Sequence, residues 1–229
     1  MNTHPIVILI SANLEWLPVR EKFAAQPVET TPFGEWFETR QEGRSLIFMH
    51  GGWGKISAAA TTQYAVDRWH PRAIINLGTC GGFAGQVERG EIILATHTLV
   101  YDILEQMGDP VQAIAHYTTA LDLSWLPQPY PLPVRPCLIV SADRDIVPAE
   151  IPALRQRYNA VVADWESAAI AWVAARSGMR CLILRGVTDL VGEQGGEAYD
   201  GINFFQQSAR QVMTRLLDSL PDWLDSKLD

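Results

Sequence analysis

Two acids stand out by their type and spacing. Glu166 follows a short apolar run and opens an Ala-rich stretch that reads as a helix, with the acid in its first turn. Asp189 follows the next apolar run, Cys181–Leu184, after Arg185-Gly186-Val187-Thr188. A strand–helix–strand over Val161–Asp189 returns the chain to one edge of a sheet, so both carboxyls can face one cleft. Acidic groups at strand ends on one rim of an α/β sheet are where such folds usually place chemistry. From this stretch alone, a helix N-terminal charge at Glu166 and a loop cap at Asp189 are equally open.

A third acid, Glu15, lies just past a first strand. Ile6–Ile10 is a continuous apolar run, as expected of a strand buried on both faces. Ser11-Ala12-Asn13 then turns into a helix over Leu14–Phe23, where Pro18 is tolerable only near the first turn. Glu15 also reads simply as a favourable acid at a helix N-terminus.

The glycine runs differ in what they can do. Gly51-Gly52-Trp53-Gly54-Lys55 precedes an amphipathic helix, Ile56–Trp69, but lacks the GxxxxGK[ST] and GxGxxG spacings. Close backbone packing is the better reading there than a phosphate cradle. Gly78-Thr79-Cys80-Gly81-Gly82 follows the buried strand Ala73–Leu77. As a turn it would bare backbone N–H groups and let a flat ligand approach.

These elements must be held by a sheet. Strand-like runs occur at Trp36–Arg40, Leu46–His50, Glu91–Tyr101 and Pro136–Val140. Asp109–Pro133 has no clear period and reads as a long ordered loop, Asp143-Arg144-Asp145 as a polar turn, and Gly192–Gly201 as another loop. Phe204–Leu217 closes the chain as an amphipathic helix, with Trp223 and Leu224 packing down after it.

Composition narrows the class. The 229 residues are 48% hydrophobic and 19% charged, as in a compact α/β protein without repeats or linkers, so one domain over 1–229 is expected. A net charge of -8 with no basic cluster argues against nucleic acid and anionic membrane as partners. MNTHPIVILIS reads as a first strand rather than a leader or a span. Cys80, Cys137 and Cys181 are scattered without CxxC spacing, which fits a reducing cytoplasm and no metal site. Cys80 as a nucleophile lacks a marked partner base, and a small turn residue is the better reading.

Taken in order, five segments resemble the purine nucleoside phosphorylase and uridine phosphorylase superfamily, nearest to its 5′-methylthioadenosine/S-adenosylhomocysteine nucleosidases. They are Gly52-Trp53-Gly54-Lys55-Ile56-Ser57-Ala58-Ala59, Asn76-Leu77-Gly78-Thr79-Cys80-Gly81-Gly82, Arg89-Gly90-Glu91-Ile92, Asp164-Trp165-Glu166-Ser167-Ala168-Ala169 and Arg185-Gly186-Val187-Thr188-Asp189. The resemblance implies an α/β fold, a single-domain three-layer α/β/α arrangement around a central mixed sheet. It also implies a small purine nucleoside as substrate, no cofactor, a role in methionine salvage, and a homo-oligomer, with a dimer expected.

By the same resemblance Asp189 protonates the departing purine at N7, Glu166 holds the ribose hydroxyls as a charged carboxylate, and Glu15 activates the attacking water. Thr79 and Arg185 place the nucleophile; Cys80, Gly81 and Ile146 line the base. Asn76 stands where the family's phosphorylases tend to carry an arginine, which favours water over phosphate, with phosphorolysis as the alternative and a non-catalytic nucleoside binder as a weaker one. Two departures bear on the substrate. Arg144-Asp145-Ile146 lacks the aromatic residue that nucleosidases lay over the purine, and Trp165 replaces a methionine beside the sugar. Tyr199 or Phe204 is expected to supply the missing apolar wall.

Overall fold

The computed structural model describes residues 4–199 and 201–224. Its framework is an eleven-stranded mixed sheet. Strand β1 (Ile6–Ile10) is buried at every residue and pairs in parallel with β4 (Arg44–His50) and β5 (Ala73–Phe83). Beyond β4 lie the antiparallel strands β3 (Gly34–Gln41) and β2 (Glu29–Thr31).

On the other side β5 does two things along its length. Its first half lies beside β1, while Gly81 and Gly82 pair with β9 (Val162–Asp164). Its opposite edge runs beside β10 (Arg180–Gly192) in parallel register almost throughout. β10 continues to β6 (Ile92–Val100), β6 to β8 (Arg135–Ser141), and β8 to β9. Because β9 returns to β5, five strands close into a ring at one side of the sheet.

Helices cover both faces. Helix α1 (Asn13–Lys22) packs on α6 (Ile202–Leu224), and α6 packs on β5 and β10. Helices α2 (Lys55–Trp69) and α5 (Ser167–Arg176) cover the opposite face. Strand β1 shows why its run is apolar throughout: Ile6, Ile8 and Ile10 join the core with Leu216 and Trp223, while Val7 and Leu9 join the other with Ala58 and Ala171. Successive side chains enter opposite cores, so neither face can be polar.

Several boundaries differ from the sequence reading. The run Gly78–Gly82 is not a turn, because β5 continues through it to Phe83. Glycine is needed there for close approach: a Cβ at Gly78 would lie 2.0 Å from Arg185 Nη1 and 2.9 Å from Glu15 Oε1. β10 likewise continues past Leu184 to Gly192, with a bulge between Val187 and Asp189. The Asp109–Pro133 loop contains α3 (Pro110–His116) and β7 (Thr119–Ala120). Asp109 starts that helix by accepting the N–H groups of Val111 and Gln112 at 2.8 and 3.4 Å, with Pro110 at the first helical position. The 192–201 loop includes β11 (Gly195–Gly196), which folds back on β10. Helix α6 starts earlier and ends later than expected, taking in the buried Trp223 and Leu224. The remaining helix, α4 (Ile151–Tyr158), follows the loop after β8.

Gly186 is where α6 meets β10. A Cβ there would stand 2.2 Å from Val212 Cγ1 and 2.7 Å from its Cγ2. Gly186→Ala is expected to push the helix off the sheet and cost about 1–3 kcal/mol. A urea midpoint equal to that of the wild type would refute this close contact.

Candidate active site

A cavity of about 530 Å³ opens past the ends of β1, β8 and β9 and over the second halves of β5 and β10. Its floor is the stretch Thr79–Gly81. Gly81 is central, because it pairs with Asp189 on one edge and with Ala163 on the other. A Cβ on Gly81 would come within 2.7 Å of Ile146 Cδ1, so only glycine keeps the floor flat.

Beneath the floor lies Arg185, which is fully buried and surrounded by three buried carboxyls. Its Nε is 2.9 Å from Asp164 Oδ2, Nη1 is 3.8 Å from Glu15 Oε1, and Nη2 is 3.5 Å from Glu166 Oε2. Nε also donates to Ser167 Oγ at 3.0 Å. Burial alone would lower the guanidinium's proton affinity, but Asp164, Glu166 and Glu15 outweigh it and raise the pKa. One cation among three acids leaves two negative charges unbalanced if all ionise, so the cluster favours keeping a proton.

Each acid is held differently. Glu15 is the third residue of α1, and its Oε2 accepts the Ala12 N–H at 3.0 Å, so it does cap its own helix. Its Oε1 meanwhile accepts both the backbone N–H and the hydroxyl of Thr79, each at 2.7 Å. Asp164 accepts the hydroxyl of Ser141 at 2.5 Å and the Ser167 N–H at 3.3 and 3.2 Å, and thereby caps α5. Glu166 sits at the N-cap position of α5 but turns its side chain away from that helix. Its Oε1 accepts the Gly54 N–H at 3.0 Å.

Glu166 is therefore not a standing charge. Burial first, then Asp164 and Glu15, push its pKa up to about 8 against the pull of Arg185 and the Gly54 N–H. Asp189 is also raised by burial, with Glu197 and Asp145 adding to the effect and the Thr188 hydroxyl opposing it. That hydroxyl donates to Asp189 Oδ1 at 2.9 Å. The bulge lets Thr188 and Asp189 both face the cavity, which a regular strand does not allow for neighbours.

Of the residues singled out in the sequence, Glu15, Thr79, Cys80, Gly81, Ile146, Trp165, Glu166, Asp189 and Tyr199 all line this cavity. Arg185 lies below it. Tyr199 donates its hydroxyl to the Ile146 carbonyl at 2.6 Å and so ties the 193–199 loop to the cavity wall at Ile146. Phe204 does not line the cavity: its ring packs under the Arg89 guanidinium at 5.5 Å, and Phe205 takes the lining position. Adjacent residues on a helix point about 100° apart, and the sequence did not specify which phenylalanine faces inward. Cys80 holds its proton, because burial and the Asp164 charge push its thiol well above the ordinary range.

Sequence reasoning gave no role to Asp164, Ser141 or Trp53. Asp164 had a usable signal, a second acid two residues before Glu166. Trp53, 60% exposed, leans on Trp165 at 5.5 Å across the cavity mouth, a contact with no sequence signature. Among the described residues no group of three His, Cys, Asp or Glu side chains is arranged to hold a metal ion, and no helix is long and apolar enough to cross a membrane.

The model of the phosphorylase superfamily matches residues 5–220. The chain belongs to that superfamily. Within it, the 5′-methylthioadenosine/S-adenosylhomocysteine nucleosidase of Marinomonas sp. (strain MWYL1) is 24% identical over 208 residues, covering 85% of this chain and 90% of its own. The protein of the same name from Halalkalibacterium halodurans is 27% identical over 177 residues, 72% of this chain and 77% of its own. Among solved structures, apo Arabidopsis thaliana 5′-methylthioadenosine nucleosidase has a TM-score of 0.82 at 19% identity, covering 100% of this chain and 99% of its own. The futalosine hydrolase of Helicobacter pylori has a TM-score of 0.80 at 18% identity, covering 96% and 98%. These structural likenesses show that the superfamily's mixed α/β fold is shared.

The raised pKa of Glu166 has a consequence for stability. An unfolded chain ionises this residue near 4.5, whereas the folded protein keeps the proton until about 8. Its contribution is therefore intact below the lower value and is lost as the pH climbs through the higher one. The melting temperature of Glu166→Gln relative to wild type is expected to rise between pH 5 and pH 9. A difference that does not change with pH would overturn this account of the cluster.

Proposed function

We propose that this protein is a purine nucleoside N-ribosyl hydrolase acting on substrates of the 5′-methylthioadenosine and S-adenosylhomocysteine type. The relatives of that name support the substrate class. The observation that carries the reaction type is the placement of three acids, Glu15, Glu166 and Asp189, around one cavity in unequal environments.

Breaking the bond from C1′ to N9 builds positive charge on the ribose and negative charge on the base. Asp189, whose pKa is raised mainly by burial, is suited to donate its proton to N7 of the leaving purine. Glu166 holds the ribose hydroxyls through its carboxyl, and in its ionised form its charge stabilises the oxocarbenium-like transition state. Glu15, fixed by Thr79 and the Ala12 N–H, takes a proton from the water whose oxygen bonds to C1′. The water supplies one proton to Glu15 and its hydroxyl to the sugar, while the base leaves with the proton of Asp189.

Electrostatics favour water over phosphate. An anionic nucleophile needs a free guanidinium, ideally one that offers a bidentate fork. Arg185 is fully buried and already faces three carboxyls. Arg20 points elsewhere, donating to the Gln26 carbonyl at 3.5 and 3.4 Å and lying over Phe37 at 5.3 Å. A neutral water enters beside Glu15 without that repulsion. The same proposal takes the protein as a cytoplasmic homodimer in methionine salvage. Exposed Ile56, Met107 and Val111 offer apolar surface for a dimer contact, and three free thiols suit a reducing compartment.

With 5′-methylthioadenosine in phosphate-free buffer, the purified protein is expected to release adenine at a rate that added phosphate does not increase. Release that requires phosphate would replace hydrolysis by phosphorolysis, and nucleoside bound but left intact would favour a binding protein. Asp189→Asn is expected to lower kcat by roughly two to four orders of magnitude, since it removes a proton donor. A near-normal rate would show that the acid lies elsewhere.

A further inference from the structure

Helix α2 begins without a capping side chain of its own, because its N-cap is Gly54. Two carboxylates from distant parts of the chain take its first N–H groups instead. Gly54 N–H donates to Glu166 Oε1 at 3.0 Å, and the next one, Lys55 N–H, donates to Asp143 Oδ1 at 2.7 Å. The helix start is thus shared between the acid beside the cavity and one in the turn after β8.

That outer acid belongs to a second cluster. Lys55 Nζ lies 3.1 Å from Asp143 Oδ2 and 2.5 Å from Asp102 Oδ2. Asp102 Oδ2 also accepts the Asp143 N–H at 3.0 Å, which joins the ends of β6 and β8 to the start of α2. Lys55 and Asp102 are partly exposed, by 21% and 22%, while Asp143 is open to solvent at 39%. The fit is close: Gly54 has φ +86, and a Cβ on it would stand 3.1 Å from Asp143 Oδ1. A side chain at Gly54 would be strained at this φ and would require Asp143 to give by a few tenths of an ångström.

We propose that Lys55, Asp143 and Asp102 form a positioning clamp that fixes the Gly54–Lys55 backbone and so holds Glu166 in its place for the ribose hydroxyls. Its bearing on the sugar rests on the nucleosidase reading; its hold on Glu166 does not. Three groups besides the clamp act on Glu166: Asp164 from β9, Arg185 from β10 and Glu15 from α1. The Gly54 N–H, just ahead of α2, reaches Glu166 and favours the ionised form. Lys55 also keeps Asp102 and Asp143 from facing each other as unpaired like charges. Without it, Asp143 would leave the helix start and Gly54 would drift from Glu166.

The test measures the carboxyl titration of Glu166 by carbon NMR in the ligand-free protein labelled at glutamate, with the signal assigned by its loss in Glu166→Gln. Asp143→Ala and Lys55→Met are expected to move the Glu166 midpoint upward, because each frees the backbone whose N–H favours ionisation. KM for the nucleoside is expected to rise by up to roughly tenfold, as when one hydrogen bond is lost, with a smaller change in kcat. Lys55→Arg should restore the wild-type midpoint, and Asp143→Asn, which still accepts the Lys55 N–H, should shift it less than Asp143→Ala. Asp143→Asn carries the comparison should either larger change prevent folding, and melting temperatures identify that case. A Glu166 midpoint identical to wild type in the folded variants would overturn the clamp. A wild-type protein that releases no purine would instead defeat the nucleosidase reading and leave the NMR result to decide the clamp.

Discussion

The structure depends on one buried cation. Arg185 stands under the cavity floor with Asp164, Glu15 and Glu166 around it, and the surrounding backbone is shaped to admit it. Removing a guanidinium and three carboxyls from water costs several kcal/mol per ion, which attraction offsets only when partners are close and the remaining polar atoms are bonded. Hydroxyls and backbone N–H groups meet that condition for the acids, to which Ser141, Ser167 and Thr79 donate. Arg185 Nη2, by contrast, makes no hydrogen bond among the described residues and only faces Glu166 Oε2 at 3.5 Å. Gly78 makes room for the arginine head, and that space comes from the long parallel register of β5 and β10, which sets Arg185 opposite Gly78.

The same pairing explains why one small region serves so many roles. β5 leaves the flat part of the sheet beside β1 and enters the ring through β9, with its glycines at the crossing. Acids carried by α1, β9, the start of α5 and β10 thereby converge on it, although they are separated by up to about 170 positions in the chain. Site and fold are coupled here: a change that loosens the β5–β10 contact would also move the acids.

Electrostatics then divide the labour. Burial, with Asp164 and Glu15 adding to it, raises the pKa of Glu166, and burial raises that of Asp189 separately on the far side of Gly81. A cavity so arranged is poorly suited to an incoming anion. Lys55, Asp102 and Asp143 lie outside the cavity and reach it only through the backbone at the start of α2.

Much of this was legible in the sequence, and for definite reasons. The unbroken apolar runs of β1, β5 and β10 marked strands with two buried faces, and the order of the five segments pointed to the family that the match over residues 5–220 shows. The sequence left open features that depend on contacts between distant residues. A run of glycines reads alike as a turn or as a strand pressed by a neighbour; pairing with β10 and β9, 80 or more positions away, makes it a strand, and Arg185 and Ile146 keep it free of side chains. Whether Phe204 or Phe205 faces inward depends on how α6 is rotated against Gly186. The charge of Glu166 depends on Asp164, Glu15 and Arg185 meeting around it, and local sequence carries no record of that. The chain by itself determined which chemical groups are present and in what order. Tertiary structure decided which of them share a dry space, and therefore which hold protons.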